Sequence, residues 1–443
     1  PSAHERPWGR MLIVGIALLA LARYLAWRVP VTFPMLEEGA LAATWAGLCL
    51  AIELIVVADG LLGFAVLSRR PDRSAEADAH EARLRTAAVA DLPTVAVLIP
   101  TYNEDHEVLE RTIVGAAALD YPRLEVWVLD DGRRPWVAEL ARAKGVRYLT
   151  RPDNAHAKAG NVNHALGHLT AELIVIFDAD FVPRRDFLWR TVGFFEDPAV
   201  GIVQTPQHFF NPDPVQLSLG LDRWMPEEQR FFFRVLQPAR DAFDAAFCCG
   251  SGAVFRRSAL DLVGGIPTGS VTEDVLATLA LLRHGYVTRY LNERLAVGLS
   301  PETTHAYFVQ RRRWCRGGVQ LLFLRDGPLG PGLSLWHRLL FMPTYWLVQL
   351  PAKIALLVVP LVFLWTGLAP LQLESVEAFV AYPLTTMLIC TVAFTRLAPG
   401  AHLPLLTDAV QLFMALRLTP TALATLIKPF GEPFRVTPKG QIS

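Results

Sequence analysis

Apolar runs at both ends of the chain enclose a long middle stretch in which short apolar runs alternate with amphipathic ones. Met11 to Trp27 is apolar apart from Arg23, and Leu41 to Leu67 is long enough to cross a bilayer with Glu53 and Asp59 inside it. The first run is short for a span, and Arg23 near its end is placed to snorkel. A cleaved signal peptide is the weaker reading, since no clear small-residue cleavage site follows and a second apolar run comes soon after. Leu335 to Leu368 and Val376 to Phe394 can each span as well. The pattern predicts two membrane hairpins, 1–68 and 335–396, with four spanning helices in all. Leu403 to Ile427 carries Asp408, Gln411 and Arg417, so segment 397–432 reads as an amphipathic helix on the inner surface. Arg69, Arg70 and Arg73 follow the second run, and Arg338 and Arg396 flank the later pair. Glu37 and Glu38 lie in the first connecting loop, Glu374 and Glu377 in the second. The positive-inside rule then puts the basic ends, and the middle of the chain, in the cytoplasm.

From Thr94 to about Leu299 the period changes. Val95 to Pro100, Leu124 to Leu129, Val146 to Leu149 and Leu173 to Phe177 read as buried strands. Val108 to Leu119, Val137 to Lys144 and Gly160 to Leu169 have helical spacing between them. This alternation predicts an α/β fold with a doubly wound, mainly parallel sheet, inserted between transmembrane helices. Segment 69–93, rich in Ala, Glu and Arg, reads as a helical or flexible linker, and 301–334 as an interfacial helix. Ligands of such sheets bind beyond the carboxyl ends of the strands. Asp130-Asp131 and Asp178-Ala179-Asp180 both fall at such ends.

Composition narrows the class. Hydrophobic residues make up 52% of the chain and charged ones 19%, too apolar for an ordinary soluble protein. Formal net charge is zero, and no tract interleaves bases with aromatics, so nucleic acid is not an expected partner. The five cysteines form no CxxC pair, and neighbours such as Cys248 and Cys249 meet disulfide geometry poorly. A reducing compartment is the simpler reading.

The acidic motifs carry the candidate chemistry. Asp178 and Asp180 place two carboxylates close together, which is costly unless a cation lies between them. Mg²⁺ or Mn²⁺ with diphosphate oxygens satisfies both. Asp130 or Asp131 can accept from ribose hydroxyls or a base N–H; the spacing does not choose between them. Asp274, after Thr272 and Glu273, starts a helical run. It reads either as a carboxylate favoured by the helix dipole or, third in an ordered set of acids, as a general base. Gln310 and Arg313, i and i+3, share a helix face. Arg313 can neutralise a leaving diphosphate, and Trp314 offers a flat ring for a sugar. Arg311 and Arg312 read as a basic anchor at the lipid surface. Lys158 can reach a phosphate, Asn161 can cap the helix that follows, and His156 reads equally as a loop histidine. Together these residues point to transfer of a sugar from a nucleotide diphosphate to a growing chain.

The same motifs, with Arg23-Tyr24-Leu25-Ala26-Trp27-Arg28, Gln204-Thr205-Pro206-Gln207-His208-Phe209-Phe210, Phe247-Cys248-Cys249-Gly250 and the segment Phe434 to Gly440, resemble the processive family-2 glycosyltransferases. Within that family they are most similar to the bacterial cellulose synthases, and the likeness covers nearly the whole chain. It implies a GT-A-type fold and inverting transfer from UDP-glucose to a growing β-1,4-glucan, which the enzyme feeds through its own channel. It also implies Mg²⁺, a bacterial inner membrane with the catalytic domain cytoplasmic, and a periplasmic accessory subunit. By position, Thr101, Tyr102, Glu104, Asp130, Asp131, Lys158, Gln310 and Arg313 become nucleotide-binding residues. Asp178 and Asp180 become metal ligands and Asp274 the base. Trp314, Cys249 and Glu273 fall on the acceptor side. Phe434, Val436, Thr437 and Lys439 match a gating loop that closes over the nucleotide. Cys248 stands where the family usually has Phe, which singles out its packing. The family continues past the gating loop with more helices, and its cellulose synthases usually with a cyclic-di-GMP-binding barrel. This chain starts at Pro1 and ends three residues after Gly440, so a piece of a longer enzyme is expected. Two alternatives stand beside this reading: a chitin-, hyaluronan- or mannan-type synthase with the same chemistry, and an inactive membrane scaffold or partial channel subunit.

Overall fold

The computed structural model describes residues 6–431. The proposed gating-loop residues Phe434, Val436, Thr437 and Lys439 lie outside the described residues. Two compact units divide the chain: Pro1–Arg70 with Pro343–Lys428, and Pro71–Met342 with the stretch from Pro429.

The second unit is built on strands β1 (Val95–Thr101), β2 (Leu124–Asp130), β3 (Arg147–Leu149), β4 (Leu173–Ile176), β5 (Val182–Pro183), β6 (Val200–Gln204), β7 (Ala253–Arg256), β8 (Val287–Tyr290) and β9 (Ala296–Val297). Seven of them form one sheet in the order β3-β2-β1-β4-β7-β6-β8, and β5 pairs with β9 apart from it. β1 to β4 are parallel, β7 is antiparallel to both neighbours, and β6 runs parallel to β8. Every residue of β1 is buried, as expected for a strand covered on both faces. Val95, Val97 and Ile99 point into one apolar cluster with Leu109, Ile113 and Val137. Ala96 and Leu98 point into the other with Val162, Ala165, Ala277 and Leu281. The period-2 alternation thus feeds two separate cores. Register places Thr101 beside Asp130, so the ends of β1 and β2 open side by side.

The sequence boundaries need correction here. The stretch read as a linker, 69–93, contains a helix, Ser74–Leu84, that belongs to this unit. Arg190 anchors it, donating to Asp78 Oδ1 at 2.5 Å and Glu81 Oε2 at 3.1 Å as well as to Glu293 Oε2 at 2.9 Å. Gly193 is required beneath it, since a Cβ there would lie 2.4 Å from His80 Cβ. The Q-x-x-R-W helix, Thr304–Gln320, and the short helix Leu335–Leu340, which was read as part of a membrane hairpin, also fall in this unit.

In the first unit, five helices among the described residues are long and apolar enough to cross a membrane by length and composition: Pro7–Glu37, Ala40–Leu67, Tyr345–Thr366, Val376–Leu397 and Leu406–Ile427. The expected count was four, with the last helix on the surface. The last of these, Leu406–Ile427, is the helix read as lying on the inner surface, and its Asp408 forms an ion pair with Lys353 of the Tyr345–Thr366 helix. Glu53 is likewise answered, by Arg28 at 2.6 Å and by the Tyr24 hydroxyl. Asp59 accepts from Gln349 Nε2 at 2.8 Å. Arg23 does not snorkel: it donates to the Ala381 carbonyl at 2.6 Å, and its guanidinium lies 4.3 Å from the centre of the Tyr382 ring. Trp27 stacks on that ring at 5.1 Å. The Arg23 to Arg28 motif is therefore a helix-pairing surface.

Candidate active site

At the ends of β1 and β2, an open cleft of about 700 Å³ is lined by Tyr102, Glu104, His106, Gly132, Arg134 and Trp136. Its rim is fixed by hydrogen bonds. Thr101 Oγ1 donates to Glu104 Oε2 at 2.6 Å, and the Tyr102 N–H reaches the same oxygen at 2.8 Å. Asp130 is fully buried and accepts from the Gly132 N–H at 2.9 Å, the Arg134 N–H at 2.7 Å and the Tyr148 hydroxyl at 3.2 Å. Gly132 has no alternative, because a Cβ would lie 2.3 Å from the Tyr102 carbonyl oxygen. Asp131 is gripped by Arg151 through Nε and Nη2, both at 2.7 Å. Both aspartates thus shape the turn through partners inside the protein. Arg134 and Arg151 were missed from sequence. Arg134 joins Asp130, Thr101 and the Glu104 carbonyl, and its place four residues after Asp130 was the available signal.

The second group gathers beyond β4. Lys158 Nζ donates to Asp178 Oδ1 at 2.5 Å and to the Gly250 carbonyl at 2.7 Å. Burial works against its charge, but Asp178, Glu273 and Asp274 outweigh that and hold the ammonium above the usual lysine range. The Asp178 N–H donates to Ser251 Oγ at 3.0 Å. Asp180 is 6% exposed and accepts from the Leu299 N–H at 3.3 Å. Asp274 opens the helix Glu273–Arg283, so the helix-dipole reading also holds for it. Burial, then the neighbouring Glu273 charge, pushes its carboxyl up to about 7. Gly250, at φ +85°, passes its backbone between these groups: a Cβ there would lie 3.3 Å from Asp274 Oδ2 and 3.6 Å from Lys158 Nζ. Acidic residues from two distant segments, Asp178 and the adjacent Glu273 and Asp274, therefore act on one lysine. Asn161 does not cap the helix Ala157–Leu166. It donates to the Leu129 carbonyl at 2.9 Å and ties that helix to β2, while His156 occupies the cap position in a left-handed conformation.

The loop carrying Gly250 is held by buried Gln204. Its Nε2 donates to the Ser251 carbonyl at 2.8 Å, and its Oε1 accepts the Cys249 N–H at 2.8 Å. Cys248 lies in the apolar core with Ala277 and Leu281, so the smaller side chain at this position is packed. Cys249 Sγ accepts from Gln237 Nε2 at 3.1 Å. Burial, then the Asp274 charge, pushes its thiol well up, which makes it a neutral neighbour rather than a nucleophile.

On the helix Thr304–Gln320, Gln310 is buried, Arg313 and Trp314 are half-buried and Arg312 is exposed. Arg311 departs from the expected lipid anchor. It is 3% exposed and paired with Glu228, whose Oε2 lies 3.0 Å from its Nε. Gly317 brings the helix against the segment that leads into Asp274: a Cβ there would lie 2.4 Å from Thr272 Cγ2, two residues before Asp274.

Residues 93–317, just over half of the chain, match the model described as glycosyltransferase like family 2. The chain belongs to glycosyltransferase family 2. This glycosyltransferase is 37% identical, over 95% of its length, to cellulose synthase 1 of Komagataeibacter xylinus, of which it covers 27%. It is 36% identical, over 98% of its length, to the UDP-forming cellulose synthase catalytic subunit of Pseudomonas fluorescens strain SBW25, of which it covers 58%. It thus spans between about a quarter and somewhat over half of these relatives. A mannosyltransferase from Pyrobaculum calidifontis, solved with GDP-Man and Mn²⁺, shares the GT-A fold with a TM-score of 0.54 at 21% identity. That match covers 85% of this chain and 99% of the other.

Proposed function

We propose that this chain is the catalytic core of a processive, inverting synthase that moves glucose from UDP-glucose to a growing β-1,4-glucan. The observation that carries the reading is the convergence of Asp178, Lys158, Gly250 and Asp274 beyond β4, one strand away from the Tyr102–Arg134 cleft. The cleft takes the nucleoside, and the β4 end takes the diphosphate. Asp178 and Asp180 are hard oxygen donors two residues apart, and no group of three or more His, Cys, Asp or Glu suited to a metal occurs among the described residues. Such a pair suits a cation that shares its ligands with a diphosphate. They would hold Mg²⁺, with Mn²⁺ as a substitute, and the ion would neutralise charge on the leaving group.

The remaining steps fall to the protein's own groups. Lys158 and Arg313 attract the diphosphate. Trp314 lies under the acceptor ring, and Glu273 and Cys249 border it. Asp274 takes the proton of the acceptor hydroxyl as that oxygen bonds to the anomeric carbon. The bond from that carbon to UDP breaks, both electrons leave with the diphosphate, and the configuration inverts. The arginines after Leu67 support a cytoplasmic catalytic unit at a bacterial inner membrane, with the polymer leaving toward a periplasmic accessory subunit.

The test is incorporation of radiolabelled glucose from UDP-glucose by membranes holding the full-length parent protein, with Mg²⁺ and with EDTA, followed by β-1,4-glucanase digestion. A Mg²⁺-dependent, glucanase-sensitive polymer is expected. Incorporation only from UDP-N-acetylglucosamine or GDP-mannose would keep the mechanism and replace the sugar. No product from any donor, with expression verified, would favour the scaffold.

Gly317 gives a sharper check on geometry. Gly317→Ala forces Thr272 aside and shifts Asp274 with it, so transfer is expected to fall about a hundredfold, the scale of a 1 Å misplacement. UDP affinity is expected to fall much less, since the nucleoside cleft is on other elements and only Arg313 and Gln310 share the helix. Titration of UDP beside a rate measurement separates the two, and an unchanged rate would show that the helix does not set the base.

A further inference from the structure

The Q-x-x-R-W helix holds an arginine that the transfer steps above do not use. The Arg311 guanidinium lies over two rings of its own helix, 4.5 Å from the centre of Tyr307 and 4.4 Å from that of Trp314. A cation over an aromatic face is attracted by the ring quadrupole, so Arg311 favours one orientation of the indole. A single oxygen from outside the helix fixes the arginine in turn. Glu228 Oε2 accepts from Arg311 Nε at 3.0 Å, from Arg311 Nη2, and from the Tyr307 hydroxyl at 2.8 Å. Gln310 Oε1 accepts from Arg311 Nη1 at 2.7 Å, so the motif's own glutamine is held by the same side chain. A guanidinium this buried is stabilised by a paired carboxylate, and removing Glu228 takes that partner away. Glu228 therefore helps to hold Arg311 on the indole.

We infer that Glu228 is a positioning residue that sets the plane of Trp314 through Arg311, and so sets how the acceptor sugar is presented to Asp274. This rests on the reading of Trp314 as the acceptor platform. Glu228 is about four-fifths covered by protein, on the segment before the 232–236 helical turn, and its sequence surroundings carry no motif. Its effect should appear only on the acceptor side.

The experiment uses the full-length parent protein in membranes, with a soluble β-1,4-gluco-oligosaccharide as the added acceptor. It measures both chain extension and the hydrolysis of UDP-glucose by water. Glu228→Ala is expected to raise the acceptor KM about tenfold while donor KM and hydrolysis stay within about twofold. Glu228→Gln keeps a carbonyl acceptor but removes the charge that Arg311 pairs with, so it should show most of the same selective loss. Trp314→Ala should show the same selective loss, and adding Glu228→Ala to it should cost nothing further. Donor KM and hydrolysis changing in step with extension would overturn the inference, because a merely structural residue would do that. So would a Glu228→Ala effect that adds in full to that of Trp314→Ala. If Trp314→Ala leaves acceptor KM unchanged, the platform reading itself falls; if only the Glu228 variants do so, the inference alone falls.

Discussion

Asp274→Asn is expected to lower transfer by about a thousandfold, within the range for removal of a general base, while UDP binds as before. Asparagine keeps the shape and the hydrogen bond to the Val275 N–H, now 2.8 Å from Oδ1, but it cannot take a proton. The pH profile gives an independent signature. Burial and Glu273 raise the Asp274 carboxyl to about 7. Below that value the folded enzyme holds it protonated and useless as a base; above it the carboxylate is free to act. Transfer per free enzyme should therefore rise with pH through about 7 and then level off, and this limb should vanish in the Asn variant. Weak UDP binding in Asp274→Asn, or a retained limb, would remove the base assignment.

Asp180→Ala is expected to remove the metal-dependent part of UDP affinity. The loss should be at least the roughly 10- to 100-fold seen when groups around metal ligands are changed. Asp180 is nearly buried beside the Leu299 N–H, so its removal opens no new contact for the nucleotide. Calorimetric titration of UDP with Mg²⁺ and with EDTA reads the effect. The parent should bind more tightly with Mg²⁺, and the variant equally in both. Asp178→Ala makes a useful contrast, since it also frees Lys158 from its 2.5 Å partner. An Asp180→Ala variant that still responds to Mg²⁺ would move the metal elsewhere.

Much of this was legible in the residues because parallel strands are buried on both faces and read as unbroken apolar runs. Val95 to Thr101 is the clearest case, and the acids at strand ends follow from it. The strands β6, β7 and β8 fall in a stretch where irregular segments and short helices break the regular β/α alternation, so periodicity did not single them out. Partnerships were the least legible. Arg151 meets Asp131 across 20 residues, and Arg311 meets Glu228 across 83, distances over which spacing carries no information. Arg311 was misplaced for a related reason: a run of three arginines reads as a solvated basic face, and only tertiary packing turns one of them inward.

The helix Ser74–Leu84 has a practical consequence for dissecting this enzyme. The family match begins at residue 93, which invites a truncation there. Such a cut would strip the cover from Gly193 and leave Arg190 with Glu293 alone of its three carboxylates. An expression boundary at Pro71 keeps that seam closed. The shorter fragment would carry every residue of the chemistry and still present a raw apolar scar to its neighbours.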